Sequence, residues 1–151
     1  MTNEISAGAT RAARGWRVLV AEDNPTNQRV ATYMLKHFGC EVEIAGDGAK
    51  AVAAWHERRF DLIVMDCQMP AMDGFEATRA IRDAEGGDAH IPIVAATANA
   101  LDGDRERCLA AGMDDYVSKP ITKSEIGGVL DRLVEKGLLG AGFSQPGPST
   151  A

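Results

Sequence analysis

The chain has 151 residues, 45% of them hydrophobic and 25% charged, with a formal net charge of -6 and a pI near 5.0. That length suits one core of ordinary size and leaves no room for two full domains, and an acidic surface attracts neither nucleic-acid phosphates nor anionic membrane headgroups. Cys40, Cys67 and Cys108 are widely spaced and form no C-x-x-C pair, which argues against a disulfide framework or a zinc site and fits reduced thiols in a cytoplasmic protein. No apolar run approaches the ~20 residues that cross a bilayer, and residues 1–15 lack the apolar stretch of a secretory signal.

In chain order, residues 1–15 are small and polar without periodicity and read as a flexible segment. Val18-Leu19-Val20-Ala21 is an apolar strand that runs into Glu22-Asp23. Asn24 can cap a helix with Pro25 in its first position; Val30, Met34 and Phe38 then recur at every fourth residue, and Gly39 ends the helix. Glu41 to Ala45 is a more polar strand suited to a sheet edge, after which Asp47 caps a helix carrying Val52 and Trp55. Leu62-Ile63-Val64-Met65 is continuously apolar, as expected of a central parallel strand covered on both faces, and it ends at Asp66. The next helix starts near Asp73-Gly74 with Glu76 in its first turn and Ile81 inward, and Gly86-Gly87 closes it.

Ile91 to Ala96 is the fourth strand, followed by Thr97; a short helix from Asp102 to Ala111 stops at Gly112, and Asp115 to Ser118 is the fifth strand, before Lys119-Pro120. Thr122 and Glu125 have capping-box spacing ahead of a helix whose Ile126, Val129, Leu130 and Leu133 face inward. Residues 138–151, rich in Gly and Pro, read as a second flexible segment, which leaves residues 16–137 as the one domain. Such ends fit a domain taken from a longer chain and a short free-standing protein equally well.

Five strands alternating with five helices make a (βα)5 α/β pattern. Right-handed crossovers favour a doubly wound five-stranded parallel sheet in the order 2-1-3-4-5. Strands 1, 3, 4 and 5 are then contiguous, and their carboxyl ends bring Glu22, Asp23, Asp66, Thr97 and Lys119 to one crevice. Carboxylates gathered so closely cannot all stay anionic without a counter-ion, since two unit charges ~5 Å apart repel by about 3 kcal/mol at an effective dielectric of 20. Oxygen-only donors without His or Cys favour Mg2+, with Mn2+ as a possible substitute, and Lys119 adds a point positive charge across the pocket. Asp66, at the end of the most buried strand, is the group placed to attack phosphorus and form an acyl phosphate, with charge neutralisation supplying most of the catalysis. His37, His56 and His90 show no metal-ligand spacing.

The motifs Val20-Ala21-Glu22-Asp23-Asn24, Val64-Met65-Asp66-Cys67-Gln68-Met69-Pro70 with Met72-Asp73-Gly74, Ala96-Thr97-Ala98 and Lys119-Pro120 resemble the receiver domain of two-component response regulators, over roughly residues 17 to 136. The resemblance implies the flavodoxin-like receiver fold, a phosphoacceptor at Asp66, metal ligands at Glu22, Asp23, Asp66 and the Gln68 backbone carbonyl, a hydroxyl switch at Thr97, a catalytic lysine at Lys119 and an aromatic switch at Tyr116. It also implies a cis bond between Lys119 and Pro120, and side chains at Gln68 and Asn99 that tune the lifetime of the acyl phosphate. Phosphorylation at Asp66 would draw Thr97 inward, and Tyr116 would follow it, repacking the face of helix 4, strand 5 and helix 5 that downstream proteins read.

The Asn24-Pro25-Thr26-Asn27-Gln28 run looks like the receivers of hybrid histidine kinases, whose partner is a histidine kinase or a histidine phosphotransfer protein. With no ATP-binding signature, the chain is expected to be a self-modifying phosphoacceptor with slow autodephosphorylation rather than an enzyme, while a longer parent chain could contain the histidine kinase. Two rival readings remain at this level: a haloacid dehalogenase-type phosphatase, which wants a second Asp where this chain has Gln68, and a receiver-like interaction module that works without phosphate.

Overall fold

In the computed structural model, residues 15–87, 89–98 and 103–140 are described. Asn99 and the expected helix start at Asp102 lie outside these residues, as do the ends of the chain up to Arg14 and from Ala141. The elements are β1 (Arg17–Ala21), α1 (Pro25–His37), β2 (Glu41–Ala45), α2 (Gly48–Glu57), β3 (Leu62–Asp66), α3 (Gly74–Ala84), β4 (Ile93–Thr97), α4 (Asp104–Ala111), β5 (Asp115–Ser118) and α5 (Lys123–Glu135). The strands form a five-stranded sheet in the order β2-β1-β3-β4-β5, every pair parallel. The expected architecture and strand order are therefore those observed.

Period-2 alternation divides the sheet residues between two apolar layers. Leu19, Ile63, Met65, Ile93 and Ala95 pack on one face with Ala51, Phe75 and Ile81, while Val18, Val20, Leu62, Val64, Val94 and Ala96 pack on the other with Leu35, Ile126 and Leu130. Helices α2, α3 and α4 thus cover the first face, and α1 and α5 the second. All five residues of β3 and of β4 are buried, which is why these strands read as unbroken apolar runs.

Several element ends differ from the sequence reading by a residue or two. β4 begins at Ile93 rather than Ile91, because Ile91 N–H donates to a Glu85 carboxylate oxygen at 2.7 Å instead of to a neighbouring strand, and Pro92 has no N–H to give. α3 stops at Ala84, before the Gly86-Gly87 pair, with Glu85 in extended backbone as its C-cap. The complete capping box is the one at Asp73 and Glu76, where each side chain accepts from the other's backbone N–H at 2.9 and 3.0 Å. At α5 only half of the expected box forms: Thr122 Oγ1 accepts from Glu125 N–H at 3.1 Å, and the Glu125 carboxylate turns instead to Ser118 N–H at 3.3 Å.

Packing continues past Gly137. Leu139 is 2% exposed, and Trp16 Nε1 donates to the Gly140 carbonyl at 2.9 Å, tying the two ends of the domain together. At the amino end of the sheet, Arg82 donates to the Gly112 carbonyl at 2.9 Å, the Ile91 carbonyl at 2.8 Å, Asp114 at 3.0 Å and both Glu85 oxygens at 3.0 Å, and His90 meets the other Asp114 oxygen at 2.8 Å. Cys40, Cys67 and Cys108 are free and buried. Burial, with Asp61 nearby, pushes the Cys40 thiol up to about 12. No helix among the described residues is long and apolar enough to cross a membrane.

One buried polar atom has no partner among the described residues: Thr78 Oγ1, on a side chain that is fully enclosed in α3. A desolvated hydroxyl without a hydrogen bond is unfavourable, and valine has nearly the same shape. Thr78→Val is expected to raise stability by about 1 kcal/mol, read as a higher urea midpoint at unchanged slope.

Candidate functional site

Parallel pairing brings the carboxyl ends of four strands level with one another. Ala21 of β1 pairs with Met65 of β3, Asp66 pairs with Ala96 of β4, and Thr97 pairs with Ser118 of β5. The chain beyond each strand stays hydrogen-bonded for one more step: Glu22 N–H donates to the Ala45 carbonyl at 3.0 Å, Cys67 N–H to Ala96 at 3.1 Å and Lys119 N–H to Thr97 at 2.9 Å. These bonds fix where Glu22, Asp66 and Lys119 leave the sheet.

The side chains of Glu22, Asp66 and Lys119 meet at this edge. Lys119 Nζ lies 2.9 Å from Asp66 Oδ2 and 3.1 Å from Glu22 Oε1, and the Lys119-Pro120 bond is cis. One carboxylate oxygen from each of Glu22, Asp23 and Asp66 falls within a sphere of mutual separations no greater than 4.8 Å. Glu22 and Asp66 are each 4% exposed, whereas Asp23 is open to solvent. They line a cavity of about 190 Å³ together with Gln68, Thr97 and Lys119.

Backbone donors orient the two buried acids. Glu22 Oε2 accepts from Asn24 N–H and Asp66 Oδ1 from Gln68 N–H, both at 3.1 Å, so each carboxylate has one oxygen on an amide and the other on Lys119. Gln28, from the first turn of α1, donates to the Glu22 carbonyl at 2.7 Å. Burial opposes the Lys119 cation, but the hydrogen bonds to Asp66 and Glu22 outweigh it and raise the lysine above its ordinary 10.5. Its contribution to stability is therefore complete below that value and is lost only as the pH climbs through the higher folded value. The ammonium therefore stays charged through the neutral range.

A divalent cation fits this donor set. The three carboxylates are oxygen donors close enough to share one ion, with Gln68 lining the same cavity. Thr97 stands at the end of β4, 2% exposed, and its hydroxyl donates to Asp104 Oδ2 at 2.8 Å. Tyr116, in β5, is half-buried beside Arg105, whose guanidinium lies 5.7 Å from the ring centre. The ring borders a cavity of about 690 Å³ between α4, β5 and α5, shared with Arg105, Leu109, Glu125 and Arg132.

Two further residues shape the site without having been assigned a role in it from sequence. Asp104, buried in the first turn of α4, holds the Thr97 hydroxyl; an acidic residue there reads as an ordinary helix-start residue, and nothing in a one-dimensional pattern points it at Thr97. Gly74 is the other. Its Asp-Gly context reads as a helix start, but the requirement is spatial: a Cβ on Gly74 would sit 2.2 Å from the Asp66 carbonyl oxygen and 3.0 Å from Met65 Cγ. Gly74 N–H also donates to the Cys67 carbonyl at 3.1 Å, closing the loop that carries Asp66.

Residues 18–131 match the family model of the response regulator receiver domain. The chain is 48% identical over 111 residues to hybrid signal transduction histidine kinase I of Dictyostelium discoideum, covering 70% of this chain and 6% of the relative. It is 42% identical over 147 residues to histidine kinase 1 of Arabidopsis thaliana, covering 75% of this chain and 12% of the relative. The chain thus spans a small part of the curated relatives it matches. Among solved structures, the receiver domain of sensor histidine kinase PA1611 from Pseudomonas aeruginosa PAO1, with a magnesium ion in its active site cleft, superposes with a TM-score of 0.73 at 47% identity, over 80% of this chain and 98% of that one.

Because the obstacle at Gly74 is backbone rather than a flexible side chain, Gly74→Ala must displace the Asp66 loop. The variant is expected to lose about 1–3 kcal/mol of stability, seen as a lower urea midpoint; an unshifted midpoint would show that the loop accommodates the methyl group freely.

Proposed function

Since this chain belongs to the response regulator receiver domain family, we propose that Asp66 accepts a phosphoryl group from a phosphohistidine on a histidine kinase or a histidine phosphotransfer protein. The observation that carries the reading is the bracketing of Asp66: Lys119 Nζ at 2.9 Å on one of its oxygens, the Gln68 amide at 3.1 Å on the other, and the Glu22 and Asp23 carboxylates beside it. That is a nucleophile held in place with cationic help on one side and room for a metal on the other.

In the transfer, an Asp66 carboxylate oxygen forms a bond to phosphorus as the P–N bond of the donor breaks, and the electron pair leaves with the imidazole. No general base is needed, because a carboxylate attacks as the anion and has no proton to lose. Magnesium, held by Glu22, Asp23, Asp66 and the Gln68 carbonyl, would supply positive charge against the phosphoryl oxygens when bound. Lys119 must then loosen its hold on the Asp66 oxygen and offer its N–H groups to the incoming oxygens, while the Glu22 pairing keeps its ammonium at the site. Slow hydrolysis of the acyl phosphate by water restores Asp66. The chain is thereby modified once and reset, not a turnover enzyme. Manganese suits the same donors.

The new charge would reach partners through Thr97 and Tyr116. The hydroxyl turns from Asp104 to a phosphoryl oxygen, Tyr116 moves into the space released, and the groove between α4, β5 and α5 changes shape. A downstream protein would read that groove. The curated kinases that this chain matches carry such a stretch as a minor part of their length, so the same reading allows a longer parent with its own kinase. One receiver domain from residue 16, extended by the packed Leu139 and the bonded Gly140 beyond the expected limit at 137, belongs to this proposal, as do a cytoplasmic location and the absence of direct nucleic-acid and membrane binding.

The haloacid dehalogenase-type alternative is disfavoured by Gln68 at the position where that chemistry places its second acid. The test is incubation with magnesium and a small phosphoramidate, followed by intact mass measurement. One phosphoryl group should appear on the parent and none on Asp66→Ala or in the presence of a chelator. Sustained hydrolysis of many donor molecules per chain would favour the phosphatase. A second expectation concerns Gln68 and Asn99: substitutions there should change the rate of phosphate release more than the rate of phosphoryl uptake, and a release time course identical to the parent's would reject that role.

A further inference from the structure

The Thr97 hydroxyl has one proton to donate, and in this structure that proton goes to a carboxylate. Asp104 Oδ2 is the acceptor at 2.8 Å, within a pair whose two members are 2% and 7% exposed. An ionised carboxylate only accepts, so this bond is charge-assisted and stronger than one between neutral groups. We infer that Asp104 is a positioning residue that competes with the phosphorylated Asp66 for the Thr97 hydroxyl, and so sets how readily the domain leaves its resting arrangement. The inference rests on the phosphoacceptor reading above.

The surroundings of Asp104 suit a residue that must give up a hydrogen bond and take it back. Its second oxygen, Oδ1, lies 3.6 Å from Arg107 Nη1, and Arg107 stacks over the Phe75 ring at 4.3 Å. A cation therefore stays with the carboxylate when the hydroxyl departs, which avoids a buried unpaired charge. Asp104 also opens α4, where a negative charge interacts favourably with the helix N-terminus. Because of these two supports, loss of the hydroxyl does not leave Asp104 stranded, and the exchange can run in both directions. The geometry makes the exchange exclusive: a hydroxyl bonded to Asp104 is unavailable to a phosphoryl oxygen, and the reverse holds equally.

Population shift gives the sign of the effect. Every interaction made only in the resting arrangement holds the domain there and subtracts from the driving force for phosphorylation. Asp104→Ala removes the competitor. Asp104→Asn keeps an acceptor oxygen of the same shape without the charge, so its effect should be intermediate.

The experiment has two arms. In the unphosphorylated, metal-free protein, three-bond couplings to the Thr97 methyl group report its χ1; the parent should show one rotamer, Asp104→Ala an averaged value, and Asp104→Asn a value between them. With magnesium and a small phosphoramidate, Asp66 phosphorylation should be about tenfold faster in Asp104→Ala than in the parent, and the gain should vanish when both chains also carry Thr97→Val. A merely structural role for Asp104 would alter the rate equally with and without the Thr97 hydroxyl, and that result overturns the inference, as do unchanged couplings. Should Asp104→Ala fail to fold by thermal melting, the Asn variant decides in both arms. A parent that takes up no phosphoryl group overturns the phosphoacceptor reading instead, and the coupling measurement, which needs neither metal nor donor, still decides the role of Asp104.

Discussion

One ammonium group keeps two buried carboxylates side by side. Lys119 Nζ is within 3.1 Å of both Glu22 and Asp66, and each of those acids is almost withdrawn from water. Their mutual repulsion and lost hydration are costly on their own. Lys119 and the amides of Asn24 and Gln68 fix both in direction. A second cation brought among the three carboxylates, whose oxygens lie within 4.8 Å of one another, would offset negative charge that one ammonium leaves unbalanced. The sheet below makes this possible, because parallel pairing delivers residues some hundred positions apart to one edge within hydrogen-bond reach.

The features legible from sequence were those carried by local periodicity or by strand ends. Two fully buried strands, β3 and β4, announce themselves as unbroken apolar runs because helices cover both of their faces; β2, at the sheet edge, announces itself by its glutamates. Once alternation and handedness fix the strand order, Glu22, Asp66, Thr97 and Lys119 follow from their places at the ends of neighbouring strands. What stayed hidden depends on contacts between segments distant in sequence. Glu125 has the spacing of a capping box, but Ser118 N–H, carried alongside by β5, competes for its carboxylate and takes it. The Ile91 amide is drawn out of the sheet by Glu85, and Gly74 is required by the carbonyl of a residue eight positions earlier. Asp104 belongs to the same class, since its partner is fixed by how α4 packs over β4 and not by any repeat in the chain.

The environment of Asp66 is layered. The loop after it is closed by Gly74, and the next residue, Cys67, turns inward to put its sulfur 3.8 Å from that of Cys108 in α4. Burial, followed by the neighbouring Cys108 sulfur and the Asp104 and Asp66 carboxylates, holds the Cys67 thiol well above its usual range. It is therefore an apolar, protonated spacer between the acceptor strand and the helix that bears Asp104. Under the proposed function, charge added at Asp66 would act on α4 by two routes, through the hydroxyl exchange and through this packed sulfur contact.

The Arg82 cluster gives α4 an unequal grip on the body of the domain. At the carboxyl end of the helix, Gly112 is bound through its carbonyl to Arg82, which also reaches Asp114 just before β5; at the other end stands the bond between Asp104 and Thr97. An eight-residue helix is about 12 Å long. If the bond at Asp104 is released, the middle of α4 keeps the Arg107 contact over Phe75 and the Cys108 contact with Cys67, while its carboxyl end keeps the Arg82 bond at Gly112. The amino edge of the sheet, remote from the chemistry, thus anchors the carboxyl end of α4 through bonds that do not involve the acidic cavity.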